Sequence, residues 1–252
     1  MKKIFFLIFI IAIVSSLILS YHNSSLKLII LNLSKKTDIK PGDLQYEVNL
    51  FNLLPVAKAV LTKRTEESKS HKIYHLKAIA ETSQIVSYFF TAAADIDSYI
   101  QAQDNNPYLF KQKLQVKGKT DITKEITYDQ KNGIMALAGI ERSIPPNTQD
   151  CLSAVFNIMR MDFDKIRNFE MNINTNQKNY TLTATAIPKD LFINRKIYKT
   201  VILNAEIRRR DKNPYHKSTI TMILLKDIEN TPIVIRVFAS GVLLTVKLVD
   251  IR

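Results

Sequence analysis

Apolar and polar residues alternate with a period of two along most of the chain, and the apolar positions are rich in β-branched and aromatic residues. The segment Gln45–Leu50 shows this alternation clearly, and Val56–Thr62 shows it more weakly. Successive side chains of a β-strand point to opposite faces of the sheet, so this period is typical of strands with one buried face. The pattern therefore predicts a strand-rich domain.

Turn residues divide the alternating segments into separate strands. A charged loop is expected at 63–70, and a proline-containing linker at 143–147 interrupts the β pattern. The predicted strands are Gln45–Leu50, Val56–Thr62, Lys72–Ala80, Ala93–Gln101, Phe110–Val116, Glu125–Tyr128, Phe169–Ile173, Tyr180–Ile187, Lys199–Ile207, Thr219–Leu225, Ile233–Phe238 and Leu243–Val249.

Two segments depart from the two-residue period and predict helices. The first, 82–90, is short and begins at Thr82 or Ser83. The second, Thr148–Arg160, has apolar residues spaced i, i+3, i+4, i+7 on one face, and Asp150 is placed to cap its first turn. With one main helix between two blocks of strands, we expect a mainly β fold with one or two short helices. We expect its strands to form a curved antiparallel sheet or an open barrel that packs on a helix.

The amino-terminal residues predict export. Lys2 and Lys3 precede an apolar or small-residue run, Ile4–Leu19, in the order typical of a secretory signal. The run is shorter than the roughly 20 residues that normally cross a bilayer, which favours a signal peptide, with an uncleaved signal anchor as the alternative. We therefore assign 1–20 to the signal, 21–41 to a linker with an apolar patch, and 42–252 to a single β-rich domain. The expected location is the periplasm, or the inner membrane with the domain facing the periplasm.

Composition restricts the chemistry and the partners. The only cysteine, Cys151, has no second cysteine with which to form an internal disulfide, and we expect it to be a small core residue. His71 and His75 are about 13 Å apart if they lie on a strand, so we predict neither a metal site nor a cofactor. The 36 basic residues outnumber the 23 acidic ones, which favours an anionic partner unless it reflects compositional bias alone. Export disfavours nucleic acid, and the oligomeric state is left open.

The densest cluster of basic residues predicts an anion-binding hairpin. An Asn-Pro turn signal at 213–214 places this cluster at a hairpin tip, where it would meet a phosphate or a lipid headgroup; the alternative is a solvated loop. The candidate ligand-binding residues are Arg208, Arg209, Arg210, Lys212 and Lys217.

Three stretches, in this order, resemble a known family. They are a Tyr-x-Val strand at Tyr46 followed by Leu54–Ala59, the helical stretch Asp150–Arg160, and a final strand Gly241–Leu248 preceded by Pro232. Together they are similar to the DUF3108 family of bacterial envelope proteins, a domain of unknown function, over about 42–249. The chain departs from the family pattern at Leu53 and Ala57, where the family has glycines. The resemblance implies an envelope location and a β-rich fold, and it implies no catalytic residues.

Two functions are compatible with these observations. The first is a non-enzymatic protein that binds a lipid, an acyl chain or an envelope component in an apolar groove of the curved sheet. The second is an enzyme of envelope polysaccharide or lipid metabolism that uses Asp95, Asp97 or Asp150, although no convergent set of catalytic partners accompanies these carboxylates. We favour the first and predict no catalytic residues.

Overall fold

A computed structural model describes residues 43–68, 71–175, 177–193, 195–210 and 217–249. The described residues form fourteen strands and two helices, α1 (Gln84–Ser87) and α2 (Cys151–Met159). The strands are β1 (Asp43–Leu50), β2 (Leu54–Ser68), β3 (His71–Thr82), β4 (Ala92–Gln101), β5 (Pro107–Val116), β6 (Ile122–Asp129), β7 (Ile134–Leu137), β8 (Ile140–Ser143), β9 (Asn168–Thr175), β10 (Lys178–Ile193), β11 (Lys196–Arg209), β12 (Lys217–Leu225), β13 (Pro232–Ala239) and β14 (Val242–Leu248).

All fourteen strands belong to one antiparallel sheet in the order β8-β7-β6-β5-β4-β3-β2-β1-β14-β13-β12-β11-β10-β9. The chain therefore folds as two meanders, β1–β8 and β9–β14, which the pairing of β1 with β14 joins into a continuous sheet. Helix α2 connects the two meanders along the chain. The predicted mainly β fold with a curved antiparallel sheet packed on a helix is confirmed.

Helix α2 packs between the two meanders on the concave side of the sheet. Its Phe156 contacts Leu76 of β3 and Ile100 of β4 in one buried cluster. Its Ala154 and Ile158 belong to a second cluster, which includes buried residues of β10, β11 and β12. The helix is therefore apolar on two sides, whereas the sequence period predicted only one apolar face.

The segment 143–149 bridges the two edge strands, β8 and β9. The N–H of Gln149 donates to the carbonyl of Asn172 at 2.8 Å, and the N–H of Asn174 donates to the carbonyl of Gln149 at 2.8 Å. The amide of Asn179 donates to the carbonyl of Ser143 at 2.9 Å. These bonds bring the ends of the open sheet close to each other, in a barrel-like arrangement.

Three local predictions were wrong. Strand β2 continues through the expected charged loop to Ser68, because its charged residues pair in register with β3. The short strands β7 and β8 were not predicted. Helix α2 begins at Cys151 rather than at Thr148, because the side chain of Asp150 caps the helix there.

The predicted signal segment and linker, 1–41, lie outside the described residues. Among the residues that are described, neither helix is both long and apolar enough to cross a membrane.

Candidate functional site

The concave face of β2–β5 is lined by small and apolar side chains. Ala59 of β2 is opposite Ala80 of β3, and Ala80 is opposite Ala94 of β4. Two residues away on β3, Ala78 is opposite Leu61 of β2 and Ile96 of β4. Alternation along each strand places these side chains on the same face as the buried Leu76, which contacts α2.

Several of these inward-facing residues are only half-buried. Leu61, Ala78, Ala80 and Ile96 all have intermediate exposure, whereas Leu76, further along the same face and beneath α2, is fully buried. Alanine side chains are too small to fill the space that a curved sheet encloses. The concave face therefore has an accessible apolar surface formed by Ala59, Leu61, Ala78, Ala80 and Ile96. We call this surface, together with the buried Ala94 opposite Ala80, the inner groove.

A helix packs near each end of the inner groove. At one end Phe156 of α2 packs on the sheet. At the other end Val86 of α1 packs against a buried cluster that includes Val48 and Leu244. Ser83, the residue before α1, is held by its hydroxyl, which donates to the carbonyl of Pro55 at 2.6 Å. The two ends of the groove are thus fixed by packing and hydrogen bonding.

Gln112 is one of the polar residues on the same side of the sheet as the groove. Gln112 of β5 pairs with Ile96 and lies between the buried residues Phe110 and Leu114 on that face. Its side chain is half-buried and makes no hydrogen bond within the described part of the chain. An amide in this position can donate to, or accept from, the polar end of an otherwise apolar ligand.

The predicted anion-binding arginines border a second groove, on the opposite side of the sheet from the inner groove. This groove has a volume of about 830 Å³, and we call it the arginine groove. Polar residues of β9–β12 predominate in its lining: Glu170, Thr181, Thr183, Asn204, Glu206, Arg208, Arg209, Arg210, Thr219 and Thr221. The lining is therefore suited to a charged or hydroxyl-bearing group rather than to an acyl chain.

Neighbouring side chains position two of the arginines. Arg210 donates to the Thr181 hydroxyl at 2.9 Å and to the Asn172 amide oxygen at 2.6 Å. Arg208 is exposed and pairs with Glu206. Arg209 borders the same groove. The structure thus brings Arg208 and Arg210 to one face of the sheet, whereas Arg209 pairs with the buried Tyr180 of β10, so its side chain points to the other face. Part of the hydrogen-bonding capacity of Arg208 and Arg210 is already used within the protein.

The remaining two candidates of the predicted hairpin are less well described. Lys212 lies outside the described residues. Lys217 begins β12, where its backbone pairs with Arg208. This register places Lys217 next to Arg208, which lines the arginine groove.

Asp95 and Asp97 lie on the convex face, where they bind cations rather than each other. Lys77 approaches the carboxylate of Asp95 at 2.8 Å and that of Asp97 at 3.7 Å. His75 contacts Asp97 through Nε2 at 2.7 Å and Glu66 through Nδ1 at 3.0 Å. These contacts form a network of polar side chains across β2, β3 and β4. Both carboxylates of the predicted pair have a structural role within this network.

Asp150 lies on the other side of the sheet, away from the convex network. Its carboxylate accepts from the backbone N–H groups of Leu152 and Ser153 and from the hydroxyl of Ser98, so it caps α2 and ties the helix to β4. Burial raises its pKa, although these hydrogen bonds act in the opposite direction. Cys151, the first residue of the helix, is exposed, so the expectation that it is a core residue was wrong.

Sequence reasoning predicted an apolar groove in the curved sheet but did not identify the residues that line it. Its residues were predicted only as strand residues, and nothing in the alternation distinguishes a filled concave face from an accessible one. The available signal was residue size, because each of β2 and β3 has two alanines spaced two residues apart, Ala57 and Ala59 in β2 and Ala78 and Ala80 in β3.

The fold defines this chain as a β-barrel-like protein built on one open antiparallel sheet. A solved structure with a similar fold is the crystal structure of a beta-barrel-like protein of domain of unknown function DUF1849 from Brucella abortus. The two are 8% identical with a TM-score of 0.53, and the match covers 82% of this chain and 94% of that one. This likeness concerns the fold alone.

No protein-family model and no curated protein matches the chain. Membership of the DUF3108 family, which the order of motifs indicated, therefore lacks support from a family model. The structural neighbour itself belongs to a family of unknown function, so membership of some such family remains compatible with the fold.

Proposed function

We propose that this chain is an exported, non-enzymatic protein of the cell envelope that holds the acyl chain of a lipid in its inner groove. The observation that carries the proposal is the half-buried apolar surface formed by Leu61, Ala78, Ala80 and Ile96 on a concave face. Curved antiparallel sheets with accessible apolar interiors commonly enclose ligands of this kind.

The polar ends of such a ligand have a candidate partner beside the groove. Gln112 offers an unpartnered amide next to Ile96. The apolar run at Ile4–Leu19, preceded by Lys2 and Lys3, supports export to the periplasm, with a membrane-anchored form as the alternative. Binding of an envelope lipid is the role that accommodates both features.

We expect Ala80→Phe to weaken binding of a fluorescent fatty acid at least tenfold, because the ring occupies space that the acyl chain requires. The matched control is Ile79→Phe. Ile79 directly precedes Ala80 in β3, is 44% exposed and points to the convex face, so this change leaves the inner groove unaltered. Equilibrium titration of both variants and the wild type measures the effect, and thermal unfolding checks that each variant is folded.

Equal affinities for a folded Ala80→Phe variant and the wild type would contradict the inner groove as the binding site. Equal losses in the two variants would do the same, because Ile79 is not part of the groove. The enzyme alternative gains no support from the described geometry, since Lys77 pairs with Asp95 and Asp97 on one face and Asp150 caps a helix on the other.

The arginine groove supports a second contact, with a phosphate group of an envelope component. Replacing Arg208 and Arg210 with glutamine should weaken binding of glycerol phosphate about a hundredfold, because each hydrogen bond to a charged group contributes about 1.5 kcal/mol or more. Calorimetric titration at low and high salt measures this loss, and screening should weaken wild-type binding as salt rises. If the wild type and the variant bind equally, or neither binds, the arginines only stabilise the surface of the sheet.

A further inference from the structure

Strands β10 and β11 extend beyond the rest of the sheet. Strand β9 pairs with β10 only as far as Thr185, and β12 pairs with β11 only from Thr200 onward. A strand rises about 3.3 Å per residue, so the hairpin projects about 25 Å beyond β9 and about 13 Å beyond β12. We call the described residues 188–193 and 195–199 the finger.

The end of the finger carries an exposed apolar pair. Phe192 and Ile197 are directly opposite each other in the register of the two strands. Each side chain is 71% exposed. Cross-strand neighbours have Cβ atoms about 5 Å apart, so the two side chains form one apolar surface at the projecting end. Isolated two-stranded hairpins are marginally stable in water, so an exposed apolar pair at this position indicates that something covers it.

The charges around this pair indicate what covers it. Four exposed basic residues and one exposed acidic residue flank the pair: Lys189, Arg195, Lys196, Lys199 and Asp190. Apolar side chains surrounded by an excess of lysine and arginine fit an anionic lipid surface, where the apolar group enters the acyl region and the cations meet headgroup phosphates. Lysines along a strand edge also oppose pairing with a strand of another protein.

We propose that the finger inserts Phe192 and Ile197 into the surface of an anionic phospholipid bilayer. The finger is a different surface from the inner groove, and it is also remote from the arginine groove. Ile197 and Arg208 are eleven residues apart on β11, which corresponds to about 36 Å. Lipid binding by the groove and bilayer insertion by the finger are therefore separately testable.

The chain contains no tryptophan, so Phe192→Trp places a single reporter at the end of the finger. The full-length variant is mixed with vesicles of phosphatidylglycerol and phosphatidylethanolamine, or with vesicles of phosphatidylcholine alone. We expect the tryptophan emission to shift to shorter wavelength with the anionic vesicles only, because the indole leaves water. The matched control is Phe238→Trp, which replaces an aromatic residue that is 49% exposed on β13 and outside the finger. Its emission should not change.

Adding Ile197→Ser to Phe192→Trp should lower the affinity for anionic vesicles by at least about tenfold, because a buried aliphatic contact is lost. The same change should leave fatty-acid binding in the inner groove as it is in the wild type. Absence of the shift with anionic vesicles, or an equal shift in Phe238→Trp, would overturn the proposal. A shift that appears without lipid as the protein concentration rises would identify a second copy of the chain as the occupant and would also overturn it.

Discussion

Replacing Phe156 with alanine is expected to lower the free energy of unfolding by about 3–5 kcal/mol, the range for removing a fully buried aromatic ring. The Phe156 side chain is 1% exposed, and its ring centroid lies 5.0 Å from that of Tyr74. It also belongs to the cluster with Leu76 and Ile100 that fixes α2 on β3 and β4. Chemical denaturation of the variant and the wild type measures the change.

The control for this prediction is Val155→Ala, on the same helix. Val155 is half-buried, so its truncation removes fewer contacts and should cost much less. An unchanged unfolding midpoint for Phe156→Ala would show that α2 is not packed on the sheet as described. Similar losses for both variants would show that the cost comes from the helix itself rather than from the buried ring.

Replacing Asp150 with alanine should have the next largest effect, a loss of about 2–4 kcal/mol. Loss of a helix cap costs about 0.5–2 kcal/mol, and a buried hydroxyl without a partner costs about 1–3 kcal/mol. Asp150 supplies both interactions, because it accepts from the N–H of Ser153 at 2.9 Å and from the buried hydroxyl of Ser98 at 2.6 Å. Asp150→Asn keeps a capping oxygen and should recover most of the loss. If alanine and asparagine were equally destabilising, the cap would not be the cause.

The asparagine variant also gives a pH prediction. Burial raises the pKa of Asp150 above its unfolded value of 3.8, so the folded state binds this proton more tightly than the unfolded state does. The resulting stabilisation is fully present below 3.8 and is lost as the pH rises through the higher folded-state pKa. Asp150→Asn does not ionise, so its stability relative to the wild type should improve from acidic to neutral pH. Denaturation at several pH values measures this trend, and the opposite trend would contradict it.

The strands with one buried face were predictable from the sequence. Strands β1, β4, β13 and β14 each contain buried apolar residues, and their predicted limits differ from the observed ones by one or two residues. Strand β8 was missed because all four of its residues are exposed, which leaves no alternation. The end of β2 was missed because polar residues occupy both of its faces there, and pairing with β3 alone holds it in the sheet.

The candidate sites depended on tertiary arrangement. The run of arginines was visible in the sequence, but the threonine and asparagine residues that complete their groove come from three different strands. The inner groove depends on curvature, because Ala59, Ala80 and Ala94 become neighbours only through the register of three strands. The finger depends on where β9 and β12 end, and no local pattern specifies the limits of neighbouring strands.

Mass spectrometry of the organic extract of the purified full-length protein tests the central claim most directly. If the inner groove holds an acyl chain, the extract should contain an acyl-bearing lipid in an amount near that of the protein. The extract of a folded Ala80→Phe variant should contain much less of it, and that of Ile79→Phe should match the wild type. A wild-type extract without lipid, or equal amounts of lipid in the wild type and Ala80→Phe, would contradict the account.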